Sequence, residues 1–186
     1  MNVSAATLTA ILLGLAIGPV ATTLNTPVPA TCQTEPVSVE RLARLIATPV
    51  AASPVSYLAL EGAPADRDVV RAVEQTIYEV VACFNAGEPL RAYAFYTDGY
   101  LRRILAHQSI EDLQGLATPS PVDHDDWTVV IDIRDIRLLD DGRIYATVVL
   151  DPGLIPVQKM FGFFLIQQDS RWLVDDVLDE LRFSLP

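Results

Sequence analysis

Between Asp68 and Ala86 the apolar residues Val69, Val70, Val73, Ile77, Val80, Val81 and Phe84 recur at three- and four-residue steps. Arg71, Glu74 and Glu79 fall off that stripe, which is the signature of an amphipathic helix packed on a core. Asp66 or Asp68 is placed to cap its start, and Gly87 to end it. A second helical pattern covers about Glu88 to Leu105, with Leu90, Phe95, Leu101, Ile104 and Leu105 as apolar anchors and an interruption expected at Thr97-Asp98-Gly99. Tyr93, Tyr96 and Tyr100 share one face of it. A short third helix is predicted over Ser109 to Leu116, with Ser109 and Asp112 at capping-box spacing.

After Pro121 the period changes from 3.6 to 2. Trp127, Val129, Ile131 and Ile133 alternate, and the apolar set then shifts to Ile136 and Leu138. That change of parity at Arg134-Asp135 predicts a bulge. Asp140-Asp141-Gly142 is a hairpin turn signal, returning the chain as a strand over Arg143 to Leu150. Gln158 to Gln168 reads as a strand apolar on both faces, with Met160, Phe164 and Ile166 on one and Phe161, Phe163 and Leu165 on the other. Asp169-Ser170 turns into a last strand over Arg171 to Leu178. Helices followed by four antiparallel strands predict an α+β fold with the helices on one face of the sheet.

The chain before Asp66 has a different character. Its first 34 residues carry no charged side chain, and Ala10 to Ala21 form an apolar run of signal-peptide length, too short and too broken by Gly and Pro for a membrane span. No Lys or Arg precedes that run, so an apolar helix of the folded domain is the competing reading. Residues 1–23 are read as a signal segment, so the membrane would be met only there, if it is uncleaved. Residues 24–65 are read as a Pro-rich arm with one short helix capped by Ser38, and 66–186 as the domain. Export places the protein outside the cell or in its envelope. In such a compartment two cysteines read as one disulfide, here Cys32 to Cys83. A buried free Cys83 beside an unrelated Cys32 is the other reading.

Charge narrows the function. Residues 1–65 hold three acidic and two basic residues, a net of −1, and residues 66–186 hold 21 and 11, a net of −10. An acidic domain with no basic patch has no way to release counterions from nucleic acid, so nucleic-acid binding is excluded. Two Cys and two His cannot build the usual Cys-rich zinc site. Asp123-His124-Asp125-Asp126 is metal-like in composition and reads as a solvated acidic loop. Neither a metal nor a cofactor is expected.

The long first helix, the segment Ala92-Tyr93-Ala94-Phe95-Tyr96-Thr97-Asp98-Gly99-Tyr100-Leu101 and the ending Gln168-Asp169-Ser170-Arg171-Trp172-Leu173-Val174-Asp175-Asp176-Val177 resemble the nuclear transport factor 2-like superfamily, also called SnoaL-like or cystatin-like. The resemblance covers about Asp66 to Leu181, most closely exported bacterial members with a Cys-containing Pro-rich arm. It implies a cone of helices wrapped by a strongly curved sheet, with a pocket at the open end. Tyr78, Tyr93, Tyr96, Tyr100, Phe161, Phe163 and Trp172 are then the candidate lining. Family enzymes (ketosteroid isomerase, polyketide cyclases, scytalone dehydratase) use Asp or His bases with Tyr or Asp donors, which makes His107 and Asp132 the candidate catalytic groups. Asp132 is expected on the outward face of its strand, and His107 at an exposed helix end. With no converging catalytic set, the expectation is a noncatalytic domain that binds a small apolar molecule or a protein through the cone opening. An isomerase, cyclase or dehydratase-like lyase is the alternative, a purely structural module the third class, and pairing of two copies through the sheet a further expectation.

Overall fold

The computed structural model of the protein describes residues 31–48, 61–153 and 158–179. The signal segment 1–23 and the prolines at 49 and 54 lie outside them. The apolar stripe of the long helix is realised as α2, Arg67–Asn85, which buries Val73, Thr76, Ile77, Val80 and Cys83. Its end is a Schellman cap: Gly87 has φ 69°, its N–H donates to Phe84 O at 2.9 Å, and the Glu88 N–H donates to Cys83 O at 2.9 Å. A Cβ on Gly87 would also overlap the Ser120 carbonyl, so glycine is required there on two counts.

The sheet is antiparallel and has five strands in the order β1-β2-β3-β4-β5: β1 Gly62–Pro64, β2 Val129–Leu139, β3 Ile144–Asp151, β4 Lys159–Gln168 and β5 Arg171–Asp179. Four were expected. The extra strand comes from the Pro-rich arm, where Gly62, Ala63 and Pro64 pair with Leu139, Leu138 and Arg137. Proline carries no amide donor, so it is tolerated at such an edge. Gly62 lacks the Cβ that would strike the Leu138 carbonyl.

The bulge predicted from parity is present. The β2–β3 register shifts between Arg134 and Arg137, and Asp135 takes a left-handed φ of 54°. A second shift, between Val130 and Asp132, was not expected. A third interrupts β4–β5 at Phe164/Leu165. The Asp140-Asp141-Gly142 turn forms with Gly142 at φ 84°, and the Asp141 carboxylate accepts from the Arg143 N–H and Nε at 3.0 and 2.8 Å. Asp169 and Ser170 both have positive φ, the geometry of the tight hairpin turn that matches strand twist.

The expected second helix is three pieces. Pro89–Ala92 forms α3, Tyr93–Phe95 a 3-10 turn, and Asp98–Ile104 α4. Thr97 is extended (φ −68°, ψ 153°), and its hydroxyl caps α4 by accepting from the Tyr100 N–H at 3.1 Å. The same residue joins helix layer to sheet. Its N–H donates to Val174 O at 3.0 Å, and its hydroxyl donates to Asp175 Oδ1 at 2.9 Å. A continuous helix would forfeit both bonds to β5. The third helix, α5 (Ile110–Gly115), carries the capping box in full.

One core lies between α2 and the sheet, built on Val73, Ile77, Val80, Cys83, Phe95, Ile144, Val148, Phe163, Leu165 and Val174. A second joins α1 (Val39–Ile46) to α3, α4 and α5 through Leu42, Leu90, Leu101, Leu105 and Leu113, with Val37 of the arm. The arm's helix is thus part of a core. On the opposite face of the sheet Leu139, Tyr145 and Phe164 cluster with Leu178, which explains why β4 reads apolar on both sides.

Candidate functional site

The chain is doubly held where the arm meets α2. Cys32 and Cys83 form the expected disulfide. Just downstream, Arg91 Nη1 donates to Thr34 O at 2.6 Å and the Val37 N–H donates to Leu90 O at 2.9 Å. The bridge thereby lays Thr31 and Cys32 along the C-terminal half of α2.

Opposite them the chain entering β2 is fixed to the same helix end. The Asn85 side chain bonds both backbone groups of Thr128, accepting from its N–H at 2.9 Å and donating to its carbonyl at 2.8 Å. The Val122 N–H donates to Asn85 O at 3.2 Å. Trp127 is set by its indole N–H, which donates to Val122 O at 3.0 Å, and the His124 ring lies against it at 4.6 Å. His124 belongs to the 3-10 turn His124–Asp126 and is exposed.

Between these two anchorages lies a cleft of about 540 Å³. It is lined by Tyr78, Val81 and Ala82 of α2, by Cys32 of the arm, and by Trp127 and Val130 at the entry to β2. The volume is in the range of small-molecule sites, and the lining is mainly apolar with few polar groups. Glu88 is the carboxylate among the described lining residues and pairs with Arg91 at 3.2 Å.

Of the seven candidate lining residues, Tyr78 lines this cleft. Burial, together with the charges of Glu74 and Asp132, holds its phenol above the usual tyrosine range. Tyr93 and Tyr96 pack with Phe84 instead, and Tyr100 packs on Tyr96, with ring centroids 5.3–6.5 Å apart. Burial beside Tyr100 and Tyr93 pushes the Tyr96 phenol far up, and burial raises Tyr93. Phe163 is buried in the core between α2 and the sheet, and Phe161 and Trp172 pack against that core. Of the seven, Tyr78 alone is among the described residues that line this cleft.

Asp132 was expected to face outward with Val129, Ile131 and Ile133 on the opposite side. Ile133 packs against the core as that reading has it, whereas Val129 and Ile131 do not. Val129 and Ile131 are the exposed pair, and Asp132 comes near enough to Tyr78 to act on its phenol. The unexpected register shift between Val130 and Asp132 is the cause, because one extra residue exchanges the faces of a strand. Asp132 lies 3.5 Å from Arg134 and remains half exposed. His107 is exposed beyond the end of α4, away from the cleft lining. Among the described residues no three His, Cys, Asp or Glu side chains are grouped to hold a metal ion.

Asn85, Ala82 and Thr128 went unmarked in the sequence, and Val81 was marked only as part of the core stripe. A polar residue ending an amphipathic helix two positions before its glycine was the one available signal for Asn85. No family model, characterised protein or solved structure was found to match the chain.

Proposed function

We propose that this is an exported, noncatalytic domain of the nuclear transport factor 2-like type that binds a small apolar ligand. The ligand sits in the cleft between α2, the disulfide-held arm and the start of β2. The fold reading is supported by the order of helices before an antiparallel meander, and by three register shifts of the kind that bend strands into a cone. Export is supported by the disulfide, which persists in oxidising compartments, and by the uncharged first 34 residues.

The observation that carries the reading is the cleft itself: about 540 Å³ bounded by Tyr78, Val81, Ala82, Trp127 and Val130. Its walls are pinned by a disulfide and by both side-chain bonds of Asn85, so the cavity is formed before a ligand arrives. Preformed walls lower the ordering cost of binding. Titration with the neutral fluorophore N-phenyl-1-naphthylamine tests it. Saturable enhancement at one site is expected, lost in Ala82→Phe, which narrows the cleft. Linear, unsaturable fluorescence in the unmodified protein would overturn the proposal.

A further inference from the structure

The chemistry around the cleft points to the charge of its ligand. None of the described lining residues is Lys or Arg. Twelve of the chain's 13 basic residues lie among the described residues, and none of the twelve belongs to that lining. The titratable and aromatic groups in the described lining are Glu88, Tyr78, His124 and Trp127. Asp123, Asp125 and Asp126 flank the lining residue His124 in sequence. Glu74 and Asp132 lie close enough to act on Tyr78. Arg91 and Arg134 pair with Glu88 and Asp132. Glu74, Asp123 and Asp126 enter no ion pair among the described residues.

Two aromatic rings, Tyr78 and Trp127, belong to the same lining. Trp127 is oriented by its indole hydrogen bond to Val122 O, so its ring position is set before binding. Aromatic faces attract cations through the ring quadrupole, and Trp does so most strongly. Apolar walls, two rings and a surrounding excess of carboxylate describe a site for a cation that has a hydrocarbon body and a weakly hydrated head.

We infer that the cleft takes a small hydrophobic ammonium cation, with its alkyl part along Val81, Ala82 and Val130 and its head toward Trp127 and Tyr78. This rests on the cleft being the binding site, as proposed above. A quaternary or tertiary ammonium group fits because it loses little hydration on leaving water. An anionic amphiphile of the same length finds no Lys or Arg among the described lining residues.

The test is displacement of bound N-phenyl-1-naphthylamine at pH 8, above the ordinary range of imidazole. Decyltrimethylammonium, decanol and decyl sulfate share one chain and differ in charge. Decyltrimethylammonium should displace the probe at about one tenth the concentration of decanol, as a partly desolvated cation–π contact allows. Decyl sulfate should be the weakest. The advantage over decanol should shrink in 0.5 M salt, where exposed charges are screened. Trp127→Leu and, separately, Tyr78→Leu should keep decanol displacement while bringing the cation down toward it. The pair guards against misfolding of either variant. Decanol equal to or better than the cation in the unmodified protein overturns the inference and leaves the binding proposal standing. Failure of the probe itself to bind saturably overturns both.

Discussion

Reducing the Cys32–Cys83 bridge should lower the stability of the whole domain. The two cysteines are 51 positions apart. Opening a loop of that length returns about 4 kcal/mol of chain entropy to the unfolded state. For a folded region of this size each kcal/mol moves the melting temperature by about 2–4 °C, so the expected fall is roughly 12 °C. The reduced chain should still unfold cooperatively. Val37 and Leu42 remain buried in the second core, and Arg91 still holds Thr34, so the arm beyond the bridge keeps its own attachments. Calorimetry of the oxidised protein and of the same protein in excess phosphine reductant measures the difference without mutation. Thiol titration should find no free thiol before reduction and two after. A shift of less than about 3 °C would show that the bridge only pins Thr31 and Gln33 locally, and the loop-closure reasoning would fail.

Three further outcomes follow from the packing. Thr97→Ala removes the cap of α4 and the bond to Asp175, and should cost about 2 kcal/mol by urea denaturation; Thr97→Ser should recover most of it. Leu42→Ala should cost about 3 kcal/mol, since the side chain is fully buried, whereas a cost below about 1 kcal/mol would mean that α1 is not part of the cooperative unit. The folded-state pKa of Tyr96 is raised, chiefly by burial, above the ordinary 10.0. Its contribution is therefore fully present below pH 10 and is lost as pH rises through the alkaline range. Tyr96→Phe should flatten that alkaline decline in melting temperature, and an unchanged slope would refute the assignment.

The strands and the long helix were legible because each is set by a local repeat. The valines of α2 and the alternation in β2 name their buried faces without help from distant residues. Even the bulge at Asp135 was written as a change of parity. The break in the second helix was only partly legible. Thr97-Asp98-Gly99 marks an interruption, but the reason for it is the pairing of Thr97 with Val174 and Asp175 on β5, 78 residues away in the case of the Asp175 bond. Strand β1 was hidden for the same reason. Gly62-Ala63-Pro64 has no strand propensity and is made a strand by the free edge of β2.

The cleft could not be read from the chain because its parts come from three distant segments. Cys32, the last two turns of α2 and Trp127 to Val130 meet only after the disulfide closes and Asn85 binds Thr128. Periodicity marks Val81 as a core position with the rest of the stripe, yet Val81 lies on the flank that the sheet leaves uncovered. The aromatic residues misled in the opposite direction. Phe163 looked like lining because the inferred cone needed a wall, and it is instead the packing that fills the space between α2 and β4. The proposed binding cleft lies instead at the start of β2, with Thr31 and Cys32 of the arm in its lining. That position explains why the site is held by a covalent bridge. A wall made of one extended segment has no sheet partner to fix it, and the bond to Cys83 supplies the fixation that neighbouring strands give each other elsewhere.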